Sequence, residues 1–299
     1  MSPDPVAVAE RWTVKRLLKW TADHFIERRV CEPADAPKEA RLLLAHVLGC
    51  PPIEVIVRYD DEPTADEKAK FKALIRRRTE GWPVAYLVGT REFYLLSYEV
   101  TPAVLIPRPD TETLVMEALN RLKGLPSPSV LDLGTGSGCV AISIAHQSKT
   151  ASVTTVDVSP DAIEVAKRNA AKHGVSDRVT FLNGDLFAPV PTDAKFDAIL
   201  SNPPYIAHGE FADLSPDVRD HEPRVALDGG PDGFAFYRRI ASDAGRFLKP
   251  GGWLLVEVGW TQNDAVRGLF AANPDLELGP SAKDLGGRFR VVTARKKSG

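Results

Sequence analysis

The sequence is poor in the residues that staple or metallate a fold: among 299 residues there are three cysteines, Cys31, Cys50 and Cys139, and two methionines. The cysteines are odd in number and form neither a CxxC pair nor a Cys/His cluster, which excludes a disulfide framework and a zinc site as organising features. They are expected as small core residues, and no metal is expected. Long apolar runs are also missing, none approaching the roughly 18 residues of a membrane-spanning helix. The opening MSPDPVAVAERW lacks the basic-then-apolar layout of a secretion signal, so a cytoplasmic protein without a membrane role is expected. An excess of one charge is lacking too, with 38 Lys+Arg against 40 Asp+Glu and a net charge of −2. That balance argues against affinity built on neutralising many nucleic-acid phosphates. It holds locally: residues 1–85 carry 15 basic and 14 acidic side chains. The run Arg76-Arg77-Arg78 is therefore expected as a solvated helix face.

What remains, 43% hydrophobic and 26% charged residues, is an ordinary globular composition with room for a large and a small domain. Residues 13–87 read as helices. Leu42, Leu43, Leu44, Val47 and Leu48 fall at helix-compatible spacing before Gly49 and Pro51 end the pattern, and Thr64 with Glu67 forms a capping-box signature. REFYLLSYEV then suggests a β-hairpin, followed by a connection punctuated by Pro102, Pro107 and Pro109. Beyond Thr111 strands and helices alternate, through SVLDLG, CVAISIAH, SVTTVDVS, DAIEVAKRNAAK, RVTFLNGD and FDAILSNPP. Such alternation specifies βαβ units and a parallel sheet, an α/β fold. A helix near residues 233–247 leads into the strand WLLVEVG, and the final ARKKSG is expected to fray.

The turn Asp132-Leu133-Gly134-Thr135-Gly136-Ser137-Gly138 follows an apolar strand and opens a helix. In a doubly wound sheet that is where ligands meet the backbone, and side chains at Gly134 or Gly136 would fill the ligand's space. The spacing is GxGxG, whereas dinucleotide sites use GxGxxG, with the third glycine packing a helix beneath a pyrophosphate. A ligand without phosphates is favoured, and S-adenosylmethionine fits. Asp132 can balance its ammonium end, Asp157 at the end of the next strand can accept from both ribose hydroxyls, and Asp185 can meet the adenine amino group with Leu186 lining the ring. As a bland alternative, the two strand-end acids serve as helix caps.

Asn202-Pro203-Pro204-Tyr205 follows the fourth strand, beside this turn. A carboxamide nitrogen is a poor nucleophile because its lone pair is delocalised, so a site that methylates one must hold the NH₂ and stabilise the growing positive charge. The side-chain oxygen of Asn202 and the backbone carbonyl of Pro203 can act as two acceptors. Two prolines stiffen the backbone and remove two N–H donors. Tyr205 can stack on the planar group and exclude water. The methylated nitrogen becomes acidic once cationic, so no strong base is needed and His208 is read as a polar loop residue.

Together these segments resemble the HemK/PrmC protein-(glutamine-N5) methyltransferases that act on peptide chain release factors. The likeness runs through REFY, LIPRPDTETLV, DLGTGSGCVAISIA, VDVSPDAIEVAKRNA, SNPPYI, HEPRVALDGGPDG and KPGGWLLVEVG. It implies a Rossmann-like, seven-stranded class I methyltransferase domain over 109–299, a hairpin linker over 89–108 and a small helical substrate-docking domain over 1–88. It further implies that Gly134, Thr135, Gly136, Ser137, Gly138, Asp157, Leu186 and Asn202 contact S-adenosylmethionine, that Asn202, Pro203, Pro204 and Tyr205 hold the glutamine amide, and that Arg108 and Glu112 organise the entrance. A loop salt bridge is the alternative for those last two. Where many members carry an aromatic residue after the third-strand acid, this sequence has Leu186. The implied partner is a class I release factor, with no direct nucleic acid, and a monomer is expected. Competing readings are a ribosomal-protein glutamine methyltransferase, an adenine-N6 nucleic-acid methyltransferase, which poses a similar amine geometry, and a non-catalytic binding module.

Overall fold

The computed structural model describes residues 11–298. The chain divides into two compact units at Val88/Gly89. The first is helical: α1 (Val14–Glu27), α2 (Ala36–Leu48), α3 (Glu54–Val57), α4 (Ala65–Thr79) and α5 (Val84–Val88). Thr13 caps α1, Gly49 ends α2 in the left-handed region at φ 62°, and Thr64 and Glu67 close the expected capping box on α4. Apolar stripes on these helices meet around Phe25, Leu43, Leu44 and Phe71. The arginine run departs from expectation at its third member. Arg78 is buried, paired with Glu39 at 2.8 Å and donating to the carbonyls of Val30 and Trp82. Its position on α4 turns it inward, where a guanidinium can stay charged only with such a full set of acceptors.

The second unit begins with the hairpin β1 (Thr90–Phe93) and β2 (Leu96–Glu99). Its two-residue turn, Tyr94 and Leu95, has φ of 46° and 63° without a glycine. The turn is held by Glu112, whose carboxylate accepts the Tyr94 N–H at 3.0 Å. The hairpin is built into this unit: Tyr98 is fully buried and hydrogen-bonds Ser143, and Glu99 is bound by Arg168 and Asn169.

The remaining elements are α6 (Glu112–Leu122), β3 (Ser129–Leu133), α7 (Cys139–Gln147), β4 (Ser152–Asp157), α8 (Pro160–Lys172), β5 (Val179–Asn183), β6 (Phe196–Ser201), α9 (Pro216–His221), α10 (Ala235–Phe247), β7 (Leu248–Glu257), α11 (Asn263–Ala271), β8 (Leu276–Leu278), β9 (Ala282–Lys283) and β10 (Phe289–Lys296). Seven strands run in the order β5-β4-β3-β6-β7-β10-β8, with the two-residue β9 paired beside β10. β3, β4, β5, β6 and β7 are mutually parallel, and β10 is antiparallel to β7 and β8.

Strand period sorts the core. On β3, Val130 joins α6 and α7 on one face, while Leu131 and Leu133 join α10 on the other. The expectation of a frayed ARKKSG fails for its first half, because Ala294, Arg295 and Lys296 lie in β10 and register with β8, while Gly299 lies outside the described residues. Ala294 is wholly buried, and the charged side chains that made the segment read as tail extend from the strand's end. Among the described residues no helix is long and apolar enough to cross a membrane.

Candidate active site

The strand order reverses between β3 and β6: β4 and β5 lie to one side of β3, and β6 and β7 to the other. Loops leaving the carboxyl ends of β3 and β6 diverge there and open a cleft. It encloses about 1020 Å³, its mouth included. Asp132, Gly134, Thr135, Gly136, Ser137, Asp157, Asp185, Leu186, Asn202, Pro203, Pro204 and Arg108 all line it. Ser201 Oγ donates to the Leu133 carbonyl at 2.8 Å, tying the two strand ends together beneath it.

The glycine turn is fixed by β4. Gly134 and Thr135 donate their N–H groups to the Val156 carbonyl, and Gly136 donates to Asp157 Oδ2 at 2.8 Å. The other Asp157 oxygen accepts the Ser159 N–H at 2.9 Å, while Ser159 itself caps α8. Burial raises the Asp157 carboxyl above its usual range, against the pull of these amide bonds. A Cβ on Gly136 would meet no protein atom within 4 Å, so the space in front of it belongs to the cleft.

Asp132 is almost wholly buried, accepting from Thr155 Oγ1 at 3.2 Å and Thr135 Oγ1 at 3.5 Å. Burial pushes it up to about 7, those hydroxyls opposing and Asp157 adding to the rise. Among the described residues no cation pairs with it, which suits a site for a positive group. Ser137 Oγ is buried beside it without a hydrogen-bond partner among the described residues. Asp185 lies two residues past the end of β5 and is ion-paired with Arg239 at 2.7 Å. It caps no helix. Leu186 adopts φ 48°, and the aromatic ring that sequence reasoning missed in this wall is Phe236 of α10.

Asn202 Nδ2 donates to Thr111 Oγ1 at 3.1 Å, leaving the carboxamide oxygen as the end available to the cleft. Among the described residues no N–H donates to the Pro203 carbonyl, so that oxygen is also available. Three expectations change. Gly138 is not in the cleft wall: a Cβ there would sit 2.7 Å from Ile142 Cδ1 and 3.1 Å from Ala166 Cβ, so this glycine serves α7–α8 packing. Tyr205 is not in the wall either. It packs against the core beneath the loop, its carbonyl accepts from Gln262, and burial raises its phenol to about 12. Glu112 holds the hairpin turn, whereas Arg108 lines the cleft and forms its ion pair with the buried Glu222, whose second oxygen accepts the Ile106 N–H at 3.1 Å. His208 pairs with Asp228 at 2.9 Å, outside the wall.

Sequence reasoning also missed Asn169, which donates to the carbonyls of Ser137 and Glu99 and so joins turn to hairpin. An asparagine on the apolar face of α8 was the available signal.

This strand order, with a glycine turn after β3, an acid ending β4 and Asn-Pro-Pro-Tyr after β6, defines a Rossmann-like methyltransferase. Known proteins agree: residues 109–215 match the methyltransferase small domain, and residues 16–89 the PrmC N-terminal domain. A release factor glutamine methyltransferase of Rhodopirellula baltica is 43% identical over 290 residues, covering 95% of this chain and 97% of that protein. One from Geobacter sulfurreducens is 43% identical over 286 residues, covering 96% and 98%. A solved methyltransferase from Pyrococcus furiosus, 18% identical, shares the fold over 76% of this chain and 98% of its own, with a TM-score of 0.50. The chain belongs to the release factor glutamine methyltransferase family.

Proposed function

We propose that this protein transfers a methyl group from S-adenosylmethionine to the side-chain amide N5 of the glutamine in the Gly-Gly-Gln loop of class I peptide chain release factors. The observation that carries this reading is the Asn202 carboxamide, tethered through its nitrogen to Thr111 and lying beside the glycine turn with its oxygen unspent.

The cleft fits the cofactor. Among the described residues, the buried Asp132 carboxylate has no cation and the Ser137 hydroxyl no hydrogen-bond partner, which suits an amino-acid tail. Asp157 would take the ribose hydroxyls, and Asp185, Leu186 and Phe236 would hold the adenine. When bound, S-adenosylmethionine supplies an electrophilic methyl carbon on a sulfonium.

The chain's own contribution is to make an inert nitrogen reactive. Asn202 Oδ1 and the Pro203 carbonyl would accept the two N–H bonds of the substrate amide, favouring the state in which its nitrogen carries positive charge. Pro203 and Pro204 keep that backbone from adapting to a ground-state geometry, so positioning supplies much of the acceleration. The nitrogen then loses its proton to water, consistent with His208 lying outside the cleft wall. Family membership and Arg108 at the cleft, anchored by Glu222, support a peptide loop as the substrate.

Mass spectrometry of a release factor incubated with enzyme and cofactor tests this reading. One added methyl on the loop glutamine is expected. Label that enters only duplex DNA or only a ribosomal protein would overturn it.

A further inference from the structure

Asn202-Pro203-Pro204-Tyr205 cannot be fastened in the ordinary way. Pro203 and Pro204 have no N–H to donate, and a bond to the Pro203 carbonyl would spend the acceptor that the substrate amide needs. Among the described residues the hydrogen bond that reaches residues 203–205 comes from one side chain: Gln262 Nε2 donates to the Tyr205 carbonyl at 3.0 Å. Beyond Tyr205 backbone pairing resumes, with the Ile206 N–H on the Leu227 carbonyl and the Gly229 N–H on the Ile206 carbonyl.

Gln262 is itself held in one direction. Its Oε1 accepts the Gly259 N–H at 3.1 Å and faces the Tyr237 hydroxyl at 3.3 Å, a hydroxyl shared with the Glu257 carbonyl at 3.1 Å. The Gly259 N–H can only donate and the Tyr205 carbonyl can only accept, so a carboxamide, with one group of each kind, joins the two. Gln262 occupies the N-cap position of α11, yet its side chain makes no cap bond, so helix capping does not account for it. The loop before α10 closes on the same peptide. A Cβ on Gly229 would lie 2.7 Å from Tyr205 Cα, and one on Gly233 would lie 2.6 Å from the Tyr205 carbonyl oxygen.

We propose that Gln262 is a positioning residue for methyl transfer: by gripping the Tyr205 carbonyl it fixes the far end of the Asn-Pro-Pro-Tyr segment and so sets where the Pro203 carbonyl meets the substrate NH₂. Asn202 is held at the near end by Thr111, so the two acceptors are placed from separate anchors. The two stiff proline residues carry a displacement at Tyr205 back to Pro203. The assignment rests on the reading of Pro203 as one of the substrate's acceptors.

Steady-state methylation of a release factor by full-length variants, beside calorimetry of S-adenosylmethionine binding, tests this role. Gln262→Met keeps the length of the side chain without its donor or acceptor, and should lower kcat by about 10- to 100-fold while cofactor affinity stays within about threefold. Gln262→Glu adds a readout that lost packing would not move. Ionised, its carboxylate only accepts and opposes the Tyr205 carbonyl; protonated, its O–H can donate to that carbonyl while the other oxygen keeps the Gly259 N–H. Its kcat relative to wild type at the same pH should therefore be depressed by about 10- to 100-fold at about pH 8.5 and recover several-fold toward about pH 5.5. Wild-type kcat in Gln262→Glu at the higher pH, no recovery at the lower, or cofactor affinity falling as far as kcat would each overturn the positioning role alone, because wild-type enzyme still methylates the substrate. Wild-type enzyme that methylates no release factor would instead overturn the functional reading, and the positioning role with it.

Discussion

Asp157 Oδ2 accepts the N–H of Gly136 at 2.8 Å, so the acid ending one strand shapes the turn that follows its neighbour. With Ser159 on the other oxygen, the carboxylate bonds two backbone amides at once. Asp157→Asn keeps a single acceptor and presents a donor where a ribose hydroxyl would give its proton. Calorimetry should find S-adenosylmethionine affinity reduced by about 10- to 100-fold.

Asn202→Ala removes an acceptor that acts chiefly as charge develops on the substrate nitrogen. A drop of about 10²- to 10³-fold in kcat is expected, with cofactor affinity within about threefold. Parallel losses of both, measured by single-turnover kinetics and calorimetry, would make Asn202 mainly a cofactor ligand.

Asp132 predicts two opposite pH effects. Its folded-state value near 7 exceeds the ordinary 3.8, so between these values the folded chain holds more protons than the unfolded one, and stability falls as pH rises. Asp132→Asn should stabilise the ligand-free protein at about pH 8, by on the order of 2 kcal/mol in urea denaturation, with the gain shrinking toward about pH 5. A cationic ligand reverses the preference and favours the carboxylate. Binding of S-adenosylmethionine should thus tighten as pH rises through about 7 and release a proton, visible as a buffer-dependent binding enthalpy.

The glycines of the turn separate into two kinds. Gly138→Ala forces a Cβ against Ile142 and Ala166 at φ 82° and should cost about 2–3 kcal/mol of stability. Gly136→Ala meets no protein atom, so it should cost only about 1 kcal/mol, its φ of 54° being the whole strain. Its larger effect should fall on cofactor affinity. Thermal denaturation with and without cofactor distinguishes the two.

In the helical unit, Arg78→Ala strands Glu39 and two backbone carbonyls in a buried setting, and about 3 kcal/mol should be lost in urea denaturation. Arg76→Ala breaks only an exposed contact with Glu80 at 3.7 Å and should change stability by less than about 0.5 kcal/mol.

Much of the site could be read before any coordinates because its pieces are contiguous. A glycine turn between strand and helix, an acid at a strand end and Asn-Pro-Pro-Tyr after another strand each carry their own local signature. Thr111, Glu222 and Glu257 could not be read this way. Thr111 and Glu222 are ordinary residues whose partners, Asn202 and Arg108, are remote in sequence, and only strand order puts Glu257 on the strand next to the one that Asn202 follows. Arg78 and its two neighbours are identical in composition, and helix phase alone decides which is buried. β10 was hidden by its charged ends, although its middle, Val-Val-Thr-Ala, is wholly enclosed.

The placement of β10 between β7 and β8 bears on biogenesis. It is the last of the sheet's strands to be synthesised, yet it occupies an interior position. Until residues 289–296 emerge from the ribosome, β7 presents a bare hydrogen-bonding edge and β8 has no neighbour to dock on. A nascent chain halted before Phe289 would therefore carry a sticky, half-built sheet, a natural target for chaperones and quality-control proteases.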